Sequence, residues 1–223
     1  MVYTRSMKRS GKPASRYGKR TKTYTPYRPR TWTKSLLPMS RFGGGTYNFK
    51  RNYNFGDLPG NAAYNPYLAG NSFSFSQLPN ATEFGVLFDQ YKITSIKLRF
   101  YLTVDPAAQT AATAVFPRMW WAQDNDDDSA PASINDLRER SDVTTEILHP
   151  DKPVEVFLKP SVLSAVYRSA VSSSYIPKWG QFIDMSAQNV PHYGLKYGID
   201  NLTNTNYTVR VEGTMWFQCR GLR

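Results

Sequence analysis

Apolar and polar residues alternate along much of this chain after residue 45, and the period is two. From Thr46 to Phe55, Tyr47, Phe49, Tyr53 and Phe55 share one side and Asn48, Lys50, Asn52 and Asn54 the other, which predicts a strand with one buried aromatic face. Arg51 interrupts the apolar side, so the strand must stay wet at that point. The strongest signal is Ile96, Leu98, Phe100, Leu102 and Val104, alternating with Lys97, Arg99, Tyr101 and Thr103. Tyr91 and Ile93 fall on the opposite parity, and a bulge near Thr94 and Ser95 is needed to keep both sets inside. The last strand, Tyr207 to Arg220, places Tyr207, Val209, Val211, Met215, Phe217 and Cys219 on one side. Thr208, Arg210, Glu212, Thr214, Trp216, Gln218 and Arg220 lie on the other.

Weaker patterns fill the interval. Asn71 to Leu78 aligns Phe73 and Phe75, Phe116 to Gln123 carries the pair Trp120-Trp121, and Lys152 to Lys159 puts Val154, Val156 and Leu158 on one parity before Pro160. Val190 to Asp200 alternates through Tyr193, Leu195, Tyr197 and Ile199. Asn80 or Thr82 is placed to cap a short helical turn reaching Gln90, with Glu83 early in it, and Ile134 to Arg140 forms one more turn. Residues 105–113 read as a small-residue loop, 124–133 as an acidic loop, and 161–189 as a long connection with a short strand near Phe182 to Met185. About eight strands with polar connections and little helix predict an all-β body of two packed antiparallel sheets, a jelly roll or another Greek-key sandwich. Open sheet edges in such a body must be covered or used for association.

Charge adds a second part to this picture. Residues 1–42 carry twelve cations (Arg5, Lys8, Arg9, Lys12, Arg16, Lys19, Arg20, Lys22, Arg28, Arg30, Lys34, Arg41) and no Asp or Glu, and Lys50 and Arg51 raise the count to fourteen. Residues 57–223 hold 14 basic and 17 acidic side chains and sum to −3, so the whole excess of +11 sits at one end. Glycine, proline and threonine separate the cations, and aliphatic residues are nearly absent before Leu36, so this arm is expected to be disordered until it binds. Gly43-Gly44-Gly45 reads as a swivel ahead of a body over 43–223. A leader this cationic gains most by neutralising a polyanion. Tyr3, Tyr17, Tyr24, Tyr27 and Trp32 lie among the charges, and flat rings stack on unpaired bases, which points to single-stranded nucleic acid with little base specificity. The cluster Arg16 to Lys22 also reads as a nuclear import signal.

Other chemistries fare less well. One cysteine, Cys219, allows no intrachain disulfide, and its strand parity places it in the core. With His149 and His192 far apart, zinc spacing is absent, and no cofactor or catalytic residue is expected. Asp124, Asp126, Asp127 and Asp128 could hold a divalent cation through oxygen ligands. The competing reading is a solvated loop, or an acidic rim that meets a neighbour's Lys or Arg. No apolar run of eighteen residues is present and no apolar h-region follows the basic start, so neither membrane insertion nor signal-directed export is expected, and synthesis is expected to be intracellular. Trp120, Trp121 and Trp216 are expected in core or subunit interface. Two alternatives stay open at this stage: a monomeric cellular RNA- or DNA-binding protein, and a metal-dependent nuclease built on the acidic cluster.

Phe88-Asp89-Gln90-Tyr91-Lys92-Ile93, followed by Lys97-Leu98-Arg99-Phe100, resembles the stretch leading into the fourth strand of capsid proteins from circoviruses and related circular Rep-encoding single-stranded DNA viruses. Asn206-Tyr207-Thr208-Val209-Arg210-Val211 with Trp216-Phe217-Gln218-Cys219-Arg220 is similar to their final strand, and Pro191-His192-Tyr193-Gly194-Leu195 to the segment before it. The resemblance implies an eight-stranded jelly roll, sixty copies of which close a T=1 icosahedral shell around a circular single-stranded DNA genome. It places the basic arm inside, and the protein in the virion and, during assembly, the host nucleus. Host import receptors and a cell-surface receptor or glycan are the further partners it implies. The family's arms are often denser in Arg than this one, which mixes Lys, Arg and Tyr.

Overall fold

The computed structural model describes residues 45–223 apart from 62, 64–65, 106–114, 169–172 and 204–205. The basic arm and nearly all of the 105–113 loop therefore lie outside the described residues. Where alternation is regular, the backbone is extended. Strands run β1 (Tyr47–Pro59), β2 (Tyr67–Phe73), β3 (Phe88–Val104), β4 (Arg118–Ala122), β5 (Thr144–Ile147), β6 (Val154–Leu158), β7 (Val162–Arg168), β8 (Ser173–Lys178), β9 (Ile183–Asp184), β10 (His192–Asp200) and β11 (Tyr207–Leu222). Two short helices interrupt them, α1 (Ala81–Leu87) and α2 (Ile134–Arg138). Among the described residues, no helix is long and apolar enough to cross a membrane.

Eight of these strands form two antiparallel sheets in the orders β1-β11-β3-β6 and β2-β10-β4-β5. β1 to β4 alternate between the two sheets, β4 and β5 are neighbours in one of them, and the first and last strands lie side by side. This is the jelly roll, and it decides between the two sandwich readings left open above. β9 pairs with the near end of β3, and β7 and β8 form a separate hairpin.

The core follows from the parity of β3 and β11. Leu98, Phe100, Val209, Val211, Met215, Phe217 and Cys219 all point between the sheets and are buried. The expected bulge is present: Trp216 pairs with Ser95 and Phe217 with Ile93, which leaves Thr94 unpaired in the ladder. Its Oγ1 donates to the Trp216 carbonyl at 2.9 Å. The extra residue resets the parity, so Tyr91, Ile93, Ile96 and Leu98 are all buried. Phe217 lies among three rings, stacked on Phe49 at 5.4 Å and edge-on to Phe75 at 5.0 Å and Phe84 at 5.2 Å.

Several expectations are corrected. β2 begins four residues before the predicted strand and ends at Phe73; Phe75 is buried from a 3-10 turn, Phe75–Gln77, where a period of three replaces a period of two. The helical turn ends at Leu87 and β3 starts at Phe88, because Phe88 and Tyr91 are needed by the sheet. Asn80 occupies the N-cap position with φ 61° and makes no side-chain cap bond. In β10 a register shift between Tyr193 and Leu195 moves Tyr193 off the buried parity, so His192, Leu195, Tyr197 and Ile199 are buried and Tyr193 is not. β5 and the hairpin β7–β8 were not foreseen, whereas the short strand near Phe182 is β9.

Candidate nucleic-acid interface

The site residues Arg5, Lys8, Arg9, Lys12, Arg16, Tyr17, Lys19, Arg20, Lys22, Tyr24, Tyr27, Arg28, Arg30, Trp32, Lys34 and Arg41 lie outside the described residues. Lys50 and Arg51 are described. As neighbours on β1 they point to opposite faces. The Lys50 ammonium sits 5.5 Å over the Trp216 ring on the solvent face of the five-stranded sheet. Arg51 turns the other way, its guanidinium 5.6 Å over Phe84 of α1, and both cations are exposed. The helix covers the core at this end of β1, which is how a cation is accommodated on the aromatic side of the strand.

The solvent face of the five-stranded sheet divides into two ends. At one, Glu155 takes Lys97 at 2.6 Å and Arg99 at 3.0 Å, and Arg210 reaches Asp57 at 3.4 Å. The two cations beside it hold the Glu155 carboxyl below its ordinary range. At the other end, where Tyr47 pairs with Cys219 and the chain enters β1, the cations meet rings. Arg220 lies 3.9 Å and Lys92 4.7 Å over Phe182, and Arg220 donates from Nε to Gln90 Oε1 at 2.6 Å. Phe157, 60% exposed, stands 6.1 Å from Trp216. Periodicity placed Arg220 on this face, but only the β9 pairing brings Phe182 beneath it and Lys92.

The acidic loop serves the fold. Lys196 contacts Asp124 at 3.2 Å and Asp127 at 2.6 Å, and Arg140 reaches Asp124 at 3.0 Å, so cations of this chain meet two of the four carboxylates of the loop. Burial alone would raise the Asp124 pKa, but hydrogen bonds involving Asp126 and Lys196, with the Lys196 charge, outweigh it and hold Asp124 down to about 2. The hydrogen bond shared with Asp124 correspondingly raises Asp126. Among the described residues, no group of three or more His, Cys, Asp or Glu side chains is arranged to hold a metal ion. Cys219 is buried in the core, and that burial pushes its thiol up to about 12.

His192 is 3% exposed in β10, with Nδ1–H donating to the Val190 carbonyl at 3.0 Å. Burial disfavours its charged form and brings its pKa down to about 4, against the smaller upward effect of its backbone hydrogen bonds. In the unfolded chain the same imidazole protonates near the ordinary histidine value of 6.5. Between these values the unfolded state binds the extra proton, so stability from this residue is complete above pH 6.5 and is lost as pH falls towards 4. At about 1.4 kcal/mol per pKa unit, the loss is on the order of 3 kcal/mol. Denaturant midpoints measured across this window should slope downwards with acid for the native chain and far less for His192→Gln; equal slopes would assign the effect elsewhere.

On the solvent face of the five-stranded sheet, a shallow concavity of about 500 Å³ is lined by Asn52, Asn54, Arg99, Arg210 and Glu212. Solved structures agree on the fold, a jelly roll. The chain is similar to the 60-mer BFDV capsid protein (14% identity, 80% of this chain and 95% of that one, TM-score 0.56). It is also similar to the decameric BFDV capsid protein (15% identity, 79% and 100%, TM-score 0.50). The family model for circovirus capsid protein matches residues 7–223, and the chain belongs to that family. It is a viral capsid protein, a structural component of the virion. No curated protein matches it.

Proposed function

We propose that the chain self-assembles into a T=1 shell of sixty copies and packages circular single-stranded DNA through its basic N-terminal arm. The observation that carries this reading is the separation of charge: fourteen cations without an acid precede residue 57, and a jelly-roll body of net −3 follows. Membership of the capsid family supports the container, and the 60-mer described for the BFDV protein supports its copy number. The arm joins the body beside Tyr47, at the ring-and-cation end of the five-stranded sheet. Sixty arms supply on the order of 800 positive charges, which places packaging in the regime of counterion release from DNA. Cations and rings together suit unpaired strands, and the same arm, through Arg16 to Lys22, is the proposed nuclear import signal. Attachment to a cell-surface receptor or glycan is proposed for the outer loops.

Sedimentation of the purified 25.4 kDa chain tests this. The expected species is a uniform particle whose protein mass is about 1.5 MDa, with an absorbance spectrum showing nucleic acid. A chain that stays monomeric at high concentration would instead fit the cellular binding-protein alternative.

A further inference from the structure

The arm is not the only part of the chain built for unpaired nucleotides. On the body, Arg220, Phe182 and Lys92, with Lys50, Trp216 and Phe157 beside them, form one continuous corner of the solvent face of the five-stranded sheet. Three observations set this corner apart. First, among the described residues, none of Lys50, Lys92 and Arg220 has a carboxylate within 4.0 Å, whereas Lys97, which pairs with Phe157 at the border of the corner, and Arg99 and Arg210 further along the same face are each ion-paired. Asp184 borders the corner through its pairing with Gln90, but its carboxylate accepts from the Ser186 N–H at 2.8 Å. Second, the cations are held in place. Arg220 is fixed between Gln90 and the Phe182 face, and an oriented guanidinium plane is itself a surface on which a base can stack. Third, the corner adjoins the point where the arm joins the sheet, since Tyr47 pairs with Cys219, the neighbour of Arg220.

We propose that this corner is a second single-stranded DNA site, on the folded body. Arg220 and Lys92 take a phosphate and a stacked base there, and Trp216 and Phe157 offer a further ring surface with Lys50 as its cation. Trp216 and Arg220 are separated by four residues of β11, about 13 Å at the rise of an extended strand, room for more than one nucleotide. The inference rests on the packaging role proposed above.

Ultraviolet crosslinking of full-length particles loaded with oligo(dT), followed by mass spectrometry, reads the site directly. Nucleotide adducts are expected on the tryptic peptide containing Phe182 and on that containing Trp216, in addition to the arm. In parallel, the double variant Lys92→Gln, Arg220→Gln should lower the log–log salt slope of oligo(dT) binding by about 1.4, two contacts at about 0.7 each. Arg99→Gln with Arg210→Gln, ion-paired further along the face, should leave the slope unchanged. Adducts confined to arm peptides, with an unchanged slope in the Lys92/Arg220 variant, would overturn the inference and leave the arm's role standing. Adducts on the body peptides alone would sustain the inference and remove the arm's role. Trp216 and Phe157 shielded by a neighbouring subunit, without adducts, would make the corner a subunit contact and overturn the inference.

Discussion

Deleting residues 1–42 should yield shells that assemble yet are nearly empty of nucleic acid, seen as a 260/280 absorbance ratio falling to that of protein alone. The deletion removes twelve of the fourteen cations that precede residue 57 and leaves Lys50 and Arg51. It touches none of the paired strands, because β1 begins at Tyr47. Each cation that neutralises a phosphate of a single strand contributes about 0.7 to the salt slope, so losing most of twelve removes the greater part of the attraction. The corner around Arg220 and Phe182 would retain a weak, salt-sensitive residue of binding. Particles carrying a full complement of nucleic acid after the deletion would contradict the arm's role.

The second large effect concerns the body. Phe217→Ala should destabilise it by about 3–5 kcal/mol, in the range for emptying a large buried aromatic site. Phe217 is 1% exposed and touches Phe49 of β1, Phe75 before α1, and Phe84 of α1, so its ring ties β11 to all three segments. A loss of that size is a large share of the 5–15 kcal/mol that stabilises an ordinary domain. Soluble yield and particle formation should both fall. Gln218→Ala, one residue away on the opposite face, removes only an exposed bond to Asn48 Oδ1 at 2.8 Å and should cost about 1 kcal/mol or less. Equal unfolding midpoints for the two variants would show that parity along β11 does not set the core.

Both effects trace to features that were legible in the sequence, and the illegible parts have physical causes. β11 and β3 could be read residue by residue because one face of each is buried against the other sheet along nearly their whole length, and even the bulge at Thr94 was required by the switch of parity. β5 was missed because Thr144–Ile147 is a short edge strand whose residues are mostly exposed, so burial imposes no alternation on it. The hairpin β7–β8 was missed for a related reason: Val166, Tyr175 and Ile176 are exposed, and their spacing answers to neither sheet. Tyr193 was assigned to the wrong face because the register shift before Leu195 leaves no mark in composition. Of the candidate interface, Lys50, Trp216 and Arg220 fall on polar parity by sequence alone. Their convergence on Phe182 and Phe157 depends on strand pairings between residues far apart in the chain, which periodicity does not encode.

The central claim is that the body forms a closed container and the arm works within it. Trypsin added to intact particles, and to the same particles after dissociation, tests it most directly, since Arg5 to Arg41 offer cleavage sites throughout the arm. The account predicts that arm peptides appear only after dissociation, while intact particles keep both their full-length chain and their nucleic acid. Arms trimmed away from particles that stay whole and filled would contradict it.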